Sequence, residues 1–432
     1  MKKSPKILII LVHSTQNAGD LALLEVSIYL LKRNFPDVEF IISANYPNEA
    51  WYKIHDYQVV PSPTYLVGKS QKDPSLLQLV KFFLGWIFAL MFKLNLLNNK
   101  VPENWRQLFE AYETCDLVVA VPGNQFFSTG RLGWPFPATL MGVALAHLFN
   151  KPLYVLPQSI GPFHRWWEKK FIRWAYSRAN LVLLRDQISL EIARAIGLPK
   201  DKVSYAPDPA FALLPAPREQ ACEILKSFGW DPHLPSLGVT VIAPLGRSLN
   251  QKLVKNYYRV LLEALLRFAL GHNLQVVFFT QVTGPTTLED DRIPTLSLYQ
   301  EICSQVKACF IDGTFSPSLL KACYGEMDLF LASRLHSGIF SIGMGVPTIF
   351  IGYLSKTKGI LKTLGLERYG LDLSDLKVQD LLDLLEKTWA GRGIISKEIN
   401  PLVSRIVAEI PLYYCLDTFS QKRGANENCS CT

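Results

Sequence analysis

The stretch DLFLASRLHSGIF, residues 328–340, runs from apolar residues into two cationic ones before small and apolar residues resume. The apolar run is typical of a buried β-strand, and the small residues that follow suit the start of a helix. A helix amino terminus favours anions through its free N–H groups and its dipole. We therefore expect Arg334, His336 and the adjacent Ser337 to bind an anionic group. The alternative is that the arginine donates to a neighbouring carbonyl and the histidine caps the helix. In that case two cations would repel each other at the positive end of the helix.

The same order of apolar strand and amphipathic helix recurs along the chain. Strands that are apolar throughout and alternate with helices indicate a parallel sheet covered on both faces. The predicted fold class is therefore α/β, with two Rossmann-like doubly wound domains that face a cleft. The strands are predicted at ILIILV (7–12), VEFIIS (38–43), CDLVVAVPG (115–123), PLYVLPQ (152–158), NLVLL (180–184), LGVTVIAP (237–244), LQVVFFTQ (274–281), MDLFLAS (327–333) and VPTIFIGY (346–353).

The length of 432 residues exceeds one ordinary core and suits two such domains. The pattern breaks at LLPAPRE, so we place the domains at residues 1–216 and 217–412. The helices after Ser374 are expected to pack back across the gap between the domains. Residues 413–432 are predicted to be a disordered tail.

The composition excludes several classes of protein. Apolar residues make up 49% and charged residues 19%, which is typical of a globular chain, and the net charge of +8 is spread rather than concentrated in blocks. Spread charge favours a small anion or an anionic surface over nucleic acid. No pair among the eight cysteines has zinc-ligand spacing matched by a second pair or by histidines, so we predict a reduced compartment.

One apolar segment, residues 76–97, leaves two interpretations open. Its unbroken run from Phe82 to Phe92 is shorter than the roughly 20 residues that span a bilayer. A buried helix is the common fate of such a run. The alternative is a helix in the membrane interface, with Trp86 and the flanking lysines at headgroup level.

Polar residues follow the predicted strands of the first domain, where ligands bind in open α/β sheets. Asn17 and Asp20 come after the first strand, with Asp20 expected to cap a helix that begins at Leu21. Asn124 and Gln158 follow two further strands, and His164 starts the next helix. The structural alternatives are a turn with a cap for Asn17 and Asp20, a loop before a helix for Asn124, and a solvated histidine for His164. The functional interpretation is a set of donors and acceptors for a polar ligand such as a sugar.

Charged residues follow three other strands. Arg185 emerges from an apolar strand and needs a partner, for which an anionic ligand is suited. Asp208 lies between prolines, and the run from Glu289 to Asp291 follows a long apolar strand. The carboxylates of that run, Asp290 among them, are interpreted either as groups that bind sugar hydroxyls or as a solvated acidic turn.

In this order, the motifs resemble those of the polysaccharide pyruvyl transferase family. They are NAGD (17–20), PGNQF (122–126), PQSIGPF (157–163), RDQIS (185–189), PDPAF (207–211), EDD (289–291), SRLHSGIFSIGMGVPTIFIGY (333–353) and SKTKG (355–359). The chain differs from the family in two places. Pro122 stands where relatives often have a second glycine, and residues 65–100 look like an insertion.

The resemblance implies a fold similar to that of the GT-B glycosyltransferases and transfer of the enolpyruvyl unit of phosphoenolpyruvate to a sugar, leaving a pyruvate ketal. It implies no metal and no cofactor beyond the donor substrate. Arg334, Arg185, Ser337 and Lys356 are then expected to bind the donor. His336 is expected to act as the acid, because imidazole holds a transferable proton near neutral pH. His164 is the second catalytic candidate.

The acceptor is expected to be a sugar of a cell-surface glycan or its lipid-linked precursor, bound by Asn17, Asp20, Asn124, Gln158 and Asp290. The expected location is cytoplasmic, with peripheral contact at the inner face of the membrane through residues 76–97. The alternatives are a GT-B glycosyltransferase that uses sugar nucleotides and a non-catalytic glycan-binding relative.

Overall fold

Two parallel sheets organise the chain in this computed structural model, which describes residues 4–68, 74–96, 98–129, 133–243, 250–352 and 355–416. The first sheet has the strand order β3-β2-β1-β4-β6-β7-β8, and β5 pairs with β6. Its strands are β1 (Lys6–Val12), β2 (Glu39–Ala44), β3 (Gln58–Pro61), β4 (Leu117–Ala120), β5 (Gly123–Phe126), β6 (Leu153–Ile160), β7 (Leu181–Leu184) and β8 (Val203–Tyr205).

The second sheet has the order β11-β10-β9-β12-β13-β14. Its strands are β9 (Ser236–Thr240), β10 (Gln275–Phe279), β11 (Ala308–Ile311), β12 (Leu329–Ala332), β13 (Thr348–Gly352) and β14 (Gly370–Asp372). Every strand pair described in the two sheets is parallel. This confirms the predicted fold class.

Helices cover both sheets. They are α1 (Ala18–Asn34), α2 (Ala50–Ile54), α3 (Pro63–Val67), α4 (Leu76–Lys93), α5 (Glu103–Thr114), α6 (Phe136–Leu148), α7 (Trp166–Ser177), α8 (Gln187–Ala195), α9 (Arg218–Ser227), α10 (Gln251–His272), α11 (Arg292–Ile302), α12 (Pro317–Tyr324), α13 (Leu335–Gly343), α14 (Ser355–Leu364) and α15 (Val378–Glu409). The predicted boundary at residue 216 lies between the last strand of the first sheet and the first strand of the second.

The strand order reverses between β1 and β4 in the first sheet and between β9 and β12 in the second. Ligands of open α/β sheets bind at such switch points, outside the carboxyl ends of the strands. The loops after β1 and β4, together with the start of α13 after β12, are therefore where this fold places a site.

The carboxyl-terminal helix returns to the first domain, as expected. α15 ends in a short 3₁₀ helix, Ile410–Tyr414, in which the Tyr414 hydroxyl lies 3.2 Å from Ser27 Oγ of α1. Tyr414 and Leu416 are buried, so the prediction of disorder is wrong for residues 413–416. The remainder of that predicted tail, residues 417–432, lies outside the described residues.

The interpretation of residues 76–97 as a buried helix is wrong. α4 buries Gly85, Ala89 and Phe92, while most of its other apolar side chains face solvent. Gly85 packs so closely on Trp105 of α5 that a Cβ would overlap the indole ring. By length and composition alone α4 could cross a membrane. The protein thus covers one face of this helix and leaves the other uncovered.

Candidate functional site

The loop after β1 joins the two domains at the first switch point. Ala18 N donates to Gln281 O at 3.1 Å, and Thr283 N donates to Gln16 O at 2.9 Å. Asn17 caps α1 by accepting from Gly19 N at 3.0 Å, so the helix begins at Ala18 and the prediction that Asp20 caps it is wrong. Asp20 lies in the first turn instead, where Asn17 Nδ2 donates to its carboxylate at 2.9 Å.

His336 of α13 lies against this loop. Its side chain is buried, and a Cβ at Gly19 would overlap the imidazole ring. His336 Nε2 has no hydrogen-bond partner and lies 3.9 Å from Asp208 Oδ2. A buried polar atom without a partner costs stability, so it marks a place where a ligand can make the missing contact.

Arg185 and Asp208 complete what we call the interdomain network, Arg185, Asp208 and His336. Arg185 Nη1 donates to Asp208 Oδ2 at 2.7 Å, and its Nε donates to Ser159 Oγ at 3.0 Å. Arg185 has the anionic partner that the sequence predicted, but Asp208 supplies it rather than a ligand. The sequence places Asp208 after a strand without indicating its role; its position between two prolines was the available signal.

Arg334 also has a protein carboxylate as its partner. Its Nε donates to Asp291 Oδ2 at 2.8 Å, and its Nη2 donates to the other oxygen of the same carboxylate. Asp291 Oδ1 in turn accepts from Ala243 N at 2.8 Å. The protein itself thus supplies anions beside both Arg334 and His336, so their repulsion does not require a ligand anion. Donor binding by Arg334 and Arg185 stays a prediction.

Burial dominates the protonation of His336. It lowers the pKa of the imidazole to about 3; Asp208 opposes this, while the positive charges of Arg185 and Lys356 add to it. His336 is therefore neutral at pH 7 when no ligand is bound. An anion bound beside it would favour the protonated form.

The other two predicted donor residues have different environments. Ser337 is fully buried: its hydroxyl donates to Arg334 O at 2.8 Å and lies 2.7 Å from Thr240 Oγ1. This side chain holds the first turn of α13, and its prediction as a donor-binding group gains no support. Lys356 lies half-buried in the first turn of α14, near enough for its charge to affect His336.

Strand β5, which follows β4, presents two amides at the first switch point. Asn124 Oδ1 and Gln125 Oε1 are buried acceptors without hydrogen-bond partners. Gly123 precedes them with φ of +149°, a conformation that favours glycine. The sequence pointed to Asn124 but missed Gln125 and also His13, which lines a small cavity with Asp20 and Gln125. For His13 the available signal was a polar residue directly after the first strand.

Three predicted residues lie away from this arrangement or are engaged within the protein. Gln158 is fully buried, receives a hydrogen bond from the Tyr176 hydroxyl and donates to Val121 O at 2.9 Å, so its prediction as an acceptor contact is wrong. Asp290 is held by Arg292, with Nε at 3.0 Å from both carboxylate oxygens. His164 is exposed, and its backbone N donates to Ser128 Oγ at 2.8 Å.

The acidic run is not a solvated turn. Asp290 and Asp291 are both buried, and each carboxylate pairs with an arginine. Among the described residues, no group of three or more His, Cys, Asp or Glu side chains is arranged to hold a metal ion. The absence of a metal and of a cofactor stays a prediction.

Solved structures show what fold this chain shares. The Anabaena protein HepE, in complex with UDP and glucose, aligns with a TM-score of 0.57 at 13% identity over 98% of this chain and all of HepE. Sucrose-phosphate synthase from Thermosynechococcus elongatus aligns with a TM-score of 0.56 at 12% identity over 98% of each chain. At such low identity the likeness concerns the fold alone, here the GT-B arrangement of two Rossmann-like domains.

Sequence comparisons give a relative and a family model in addition to the fold. The amylovoran biosynthesis protein AmsJ from Erwinia amylovora is 26% identical over 423 residues, which cover 94% of this chain and 99% of AmsJ. The family model for polysaccharide pyruvyl transferase matches residues 17–355, a range that includes Asn17, the interdomain network and Arg334. This chain therefore belongs to the polysaccharide pyruvyl transferase family.

Proposed function

We propose that this protein transfers the enolpyruvyl group of phosphoenolpyruvate to a sugar of a cell-surface glycan or of its lipid-linked precursor, forming a pyruvate ketal. Membership of the family supports a transferase. The observation that carries the proposal is the buried His336 imidazole, whose Nε2 lacks a partner beside Asp208 where the two domains meet. Phosphoenolpyruvate is a small trianion, which suits a site lined by histidine, arginine and lysine.

The proposed reaction begins with a proton. His336 gives a proton to the methylene carbon of the donor, which becomes a methyl group, and positive charge develops on the neighbouring carbon. A sugar hydroxyl attacks that carbon and loses its proton. The carbon–oxygen bond to phosphate then breaks, and a second hydroxyl closes the ketal with loss of its own proton. His336 supplies one proton and the two hydroxyls release two; one of these leaves with inorganic phosphate and the other returns to the imidazole.

His336 can serve as this acid once its pKa rises on donor binding. In the unliganded protein burial holds the pKa near 3, too low for the imidazole to carry a proton at pH 7. A bound trianion would offset the cost of the buried charge and raise the pKa toward neutrality, where a general acid works best. Arg334, Arg185 and Lys356 would bind the donor's phosphate and carboxylate. The two arginines would at the same time stay paired with the protein's own carboxylates.

The first domain would bind the acceptor. Asn124 Oδ1 is a buried acceptor that lacks a partner, which suits a sugar hydroxyl as donor. Asn17 ends the adjoining loop after β1, and Asp20 lies in the first turn of α1. His164 stays a second candidate for activating an acceptor hydroxyl. We place the reaction in the cytoplasm, at the inner face of the membrane; the cysteines in the described part of the chain are all free, which suits a reducing compartment.

The test is direct. The protein is incubated with phosphoenolpyruvate and candidate glycans, and phosphate release and acid-labile pyruvate on the sugar are measured together. Equal amounts of both products support the proposal. Turnover of sugar nucleotides without any use of phosphoenolpyruvate would instead show a glycosyltransferase, and binding of glycans without turnover of either donor would show a non-catalytic relative.

A further inference from the structure

An apolar groove lies between α4, α6 and α7. Its cavity of about 840 Å³ is of the size that holds a small-molecule ligand. We call it the helical groove. It is lined by aromatic and aliphatic side chains, with Lys170 as its charged member, and its aromatic residues include Phe83, Trp86, Trp167, Phe171 and Trp174.

The groove opens onto an apolar surface that the protein leaves exposed. On α4, Phe83 is 62% exposed and Ile87 50%. On α7, Trp166 is 71% exposed and Phe171 50%. Exposed apolar patches that continue across two helices mark interaction sites in folded proteins. The sequence pointed to α4 alone; the second helix and the groove between the two come from the fold.

The charge around the groove is of one sign. α4 has Lys81 near its start and Lys93 at its end, and neither α4 nor α6 contains an acidic residue. α7 has exposed Lys169, Lys170 and Arg173, and its one acidic residue, Glu168, is fully buried in a pair with Arg165. An apolar channel with a basic rim complements a lipid that carries phosphate, whereas a protein surface would ordinarily bring charges of both signs.

The position of the groove ties it to the acceptor side of the site. Phe136, at the start of α6, packs against Phe126 with ring centroids 5.6 Å apart and against Trp167 of the groove at the same separation. Phe126 is the last residue of β5 and lies two residues after Asn124. One end of the groove is therefore a single aromatic ring away from the strand that presents the unpartnered amide.

We propose that the helical groove binds the hydrocarbon chain of a lipid-phosphate-linked saccharide. The lipid phosphate lies at the basic rim, and the saccharide extends toward the strand that carries Asn124. This rests on the proposed function for the statement that the saccharide is the acceptor. The lipid site itself stands on the groove, its charge and its position.

The binding experiment uses the full-length protein and farnesyl phosphate, a soluble lipid phosphate, with farnesol and inorganic phosphate as comparison ligands. Trp86, Trp167 and Trp174 report occupancy through their fluorescence. We expect saturable binding of farnesyl phosphate, weaker binding of farnesol and none of inorganic phosphate. The variant Phe83→Ser/Phe171→Ser removes two exposed rings and should weaken binding by at least about tenfold.

The matched control is Leu270→Ser/Ile293→Ser, which removes two exposed apolar side chains from α10 and α11 and should leave binding unchanged. Melting temperatures of both variants verify that each is folded. The proposal is overturned by equal binding in the groove variant or by no saturable binding in the wild type. Flotation of the wild type with phosphatidylglycerol vesicles without binding of farnesyl phosphate would also overturn it, because that would indicate docking on a membrane surface. So would a wild-type dimer that becomes a monomer in the groove variant, because the groove would then be a contact between two copies of the chain.

Turnover separates this inference from the proposed function. With a lipid-linked acceptor, the groove variant should raise KM at least about tenfold, while kcat with the same saccharide free of lipid stays unchanged. If phosphoenolpyruvate is never consumed but farnesyl phosphate still binds in the groove, the proposed reaction fails and the lipid site stands. If pyruvyl transfer proceeds equally in the groove variant, the lipid site fails and the reaction stands.

Discussion

The interdomain network and the helical groove both adjoin the carboxyl edge of the first sheet, yet they differ in every physical respect. The network is polar and buried: Arg185 forms an ion pair with Asp208, and the His336 imidazole lies 3.9 Å from the same carboxylate. The groove is apolar, open and rimmed by positive charge. The first arrangement suits chemistry, where fixed charges must not relax during the reaction. The second suits retention of a substrate whose reacting part lies elsewhere.

This difference predicts separable effects. Substitutions in the network should lower stability or kcat whatever acceptor is used. Substitutions in the groove should affect the KM of a lipid-linked acceptor alone.

Removing Asp208 should have the largest effect on stability. Asp208→Ala leaves Arg185 buried at 1% exposure without its carboxylate, which typically costs about 3–5 kcal/mol of unfolding free energy. The measurement is chemical denaturation. Glu326→Ala, which breaks an ion pair with the exposed Arg218, is the matched control and should cost much less. Equal losses in the two variants would mean that the buried pair has no special weight.

Removing the acid should have the largest effect on activity. His336→Gln keeps a polar side chain of similar length but cannot deliver a proton, so kcat should fall about 10²-fold or more. Steady-state phosphate release measures this, and His55→Gln, at an exposed position on the surface, is the control. We expect a smaller loss for His164→Gln, since that side chain is exposed. Activity of His336→Gln within a few-fold of wild type would exclude His336 as the acid.

A methyl group at Gly19 should act through His336. In Gly19→Ala the new Cβ would overlap the imidazole, so the ring must move, and overpacking of this kind costs about 1–3 kcal/mol. We expect kcat to fall as well. Gly271→Ala is the control because nothing lies within 4 Å of a Cβ there and alanine favours the helix. Full activity in Gly19→Ala would show that the position of His336 does not matter.

Stability should depend on pH through the same residue. The pKa of His336 is lowered from 6.5 to about 3 in the folded protein, first by burial and then by Arg185 and Lys356, with Asp208 opposing. Between these values the unfolded chain binds a proton that the folded chain does not, so stability rises with pH across this window. Denaturation midpoints at a series of pH values should show a smaller rise in His336→Gln. An identical pH dependence in both proteins would contradict the buried, neutral histidine.

The sequence predicted the sheets well because buried parallel strands must be apolar along their whole length. The segments around Ile7–Val12 and Leu329–Ala332 have this pattern, and both are strands in the structure. It failed for α4, which is apolar on every side. Composition shows that such a helix avoids water but not which of its faces the rest of the protein covers, since that depends on packing against α3 and α5.

The sequence indicated where polar residues gather near strand ends, but not which of these side chains pair with each other. Strand ends are visible in the pattern, so the sequence placed Arg334, Arg185 and His336 near strand ends. Their carboxylates were not assigned, because Asp208 and Asp291 lie 23 and 43 residues away along the chain from Arg185 and Arg334 and meet them only in the folded structure. The prediction for Gln158 was wrong for a different reason. A polar residue at the end of a strand can make all its hydrogen bonds inside its own domain, as Gln158 does.

The most direct test of the central claim is calorimetric titration of phosphoenolpyruvate in two buffers that differ in ionisation enthalpy, at pH 7. If the donor binds beside His336, binding should take up protons in the wild type, because the bound anion raises the pKa of the neutral imidazole toward the pH of the experiment. Uptake should be lost in His336→Gln while binding of the donor persists. Binding without proton uptake in the wild type, or equal uptake in both proteins, would contradict the proposal that His336 receives the proton that it later gives to the donor.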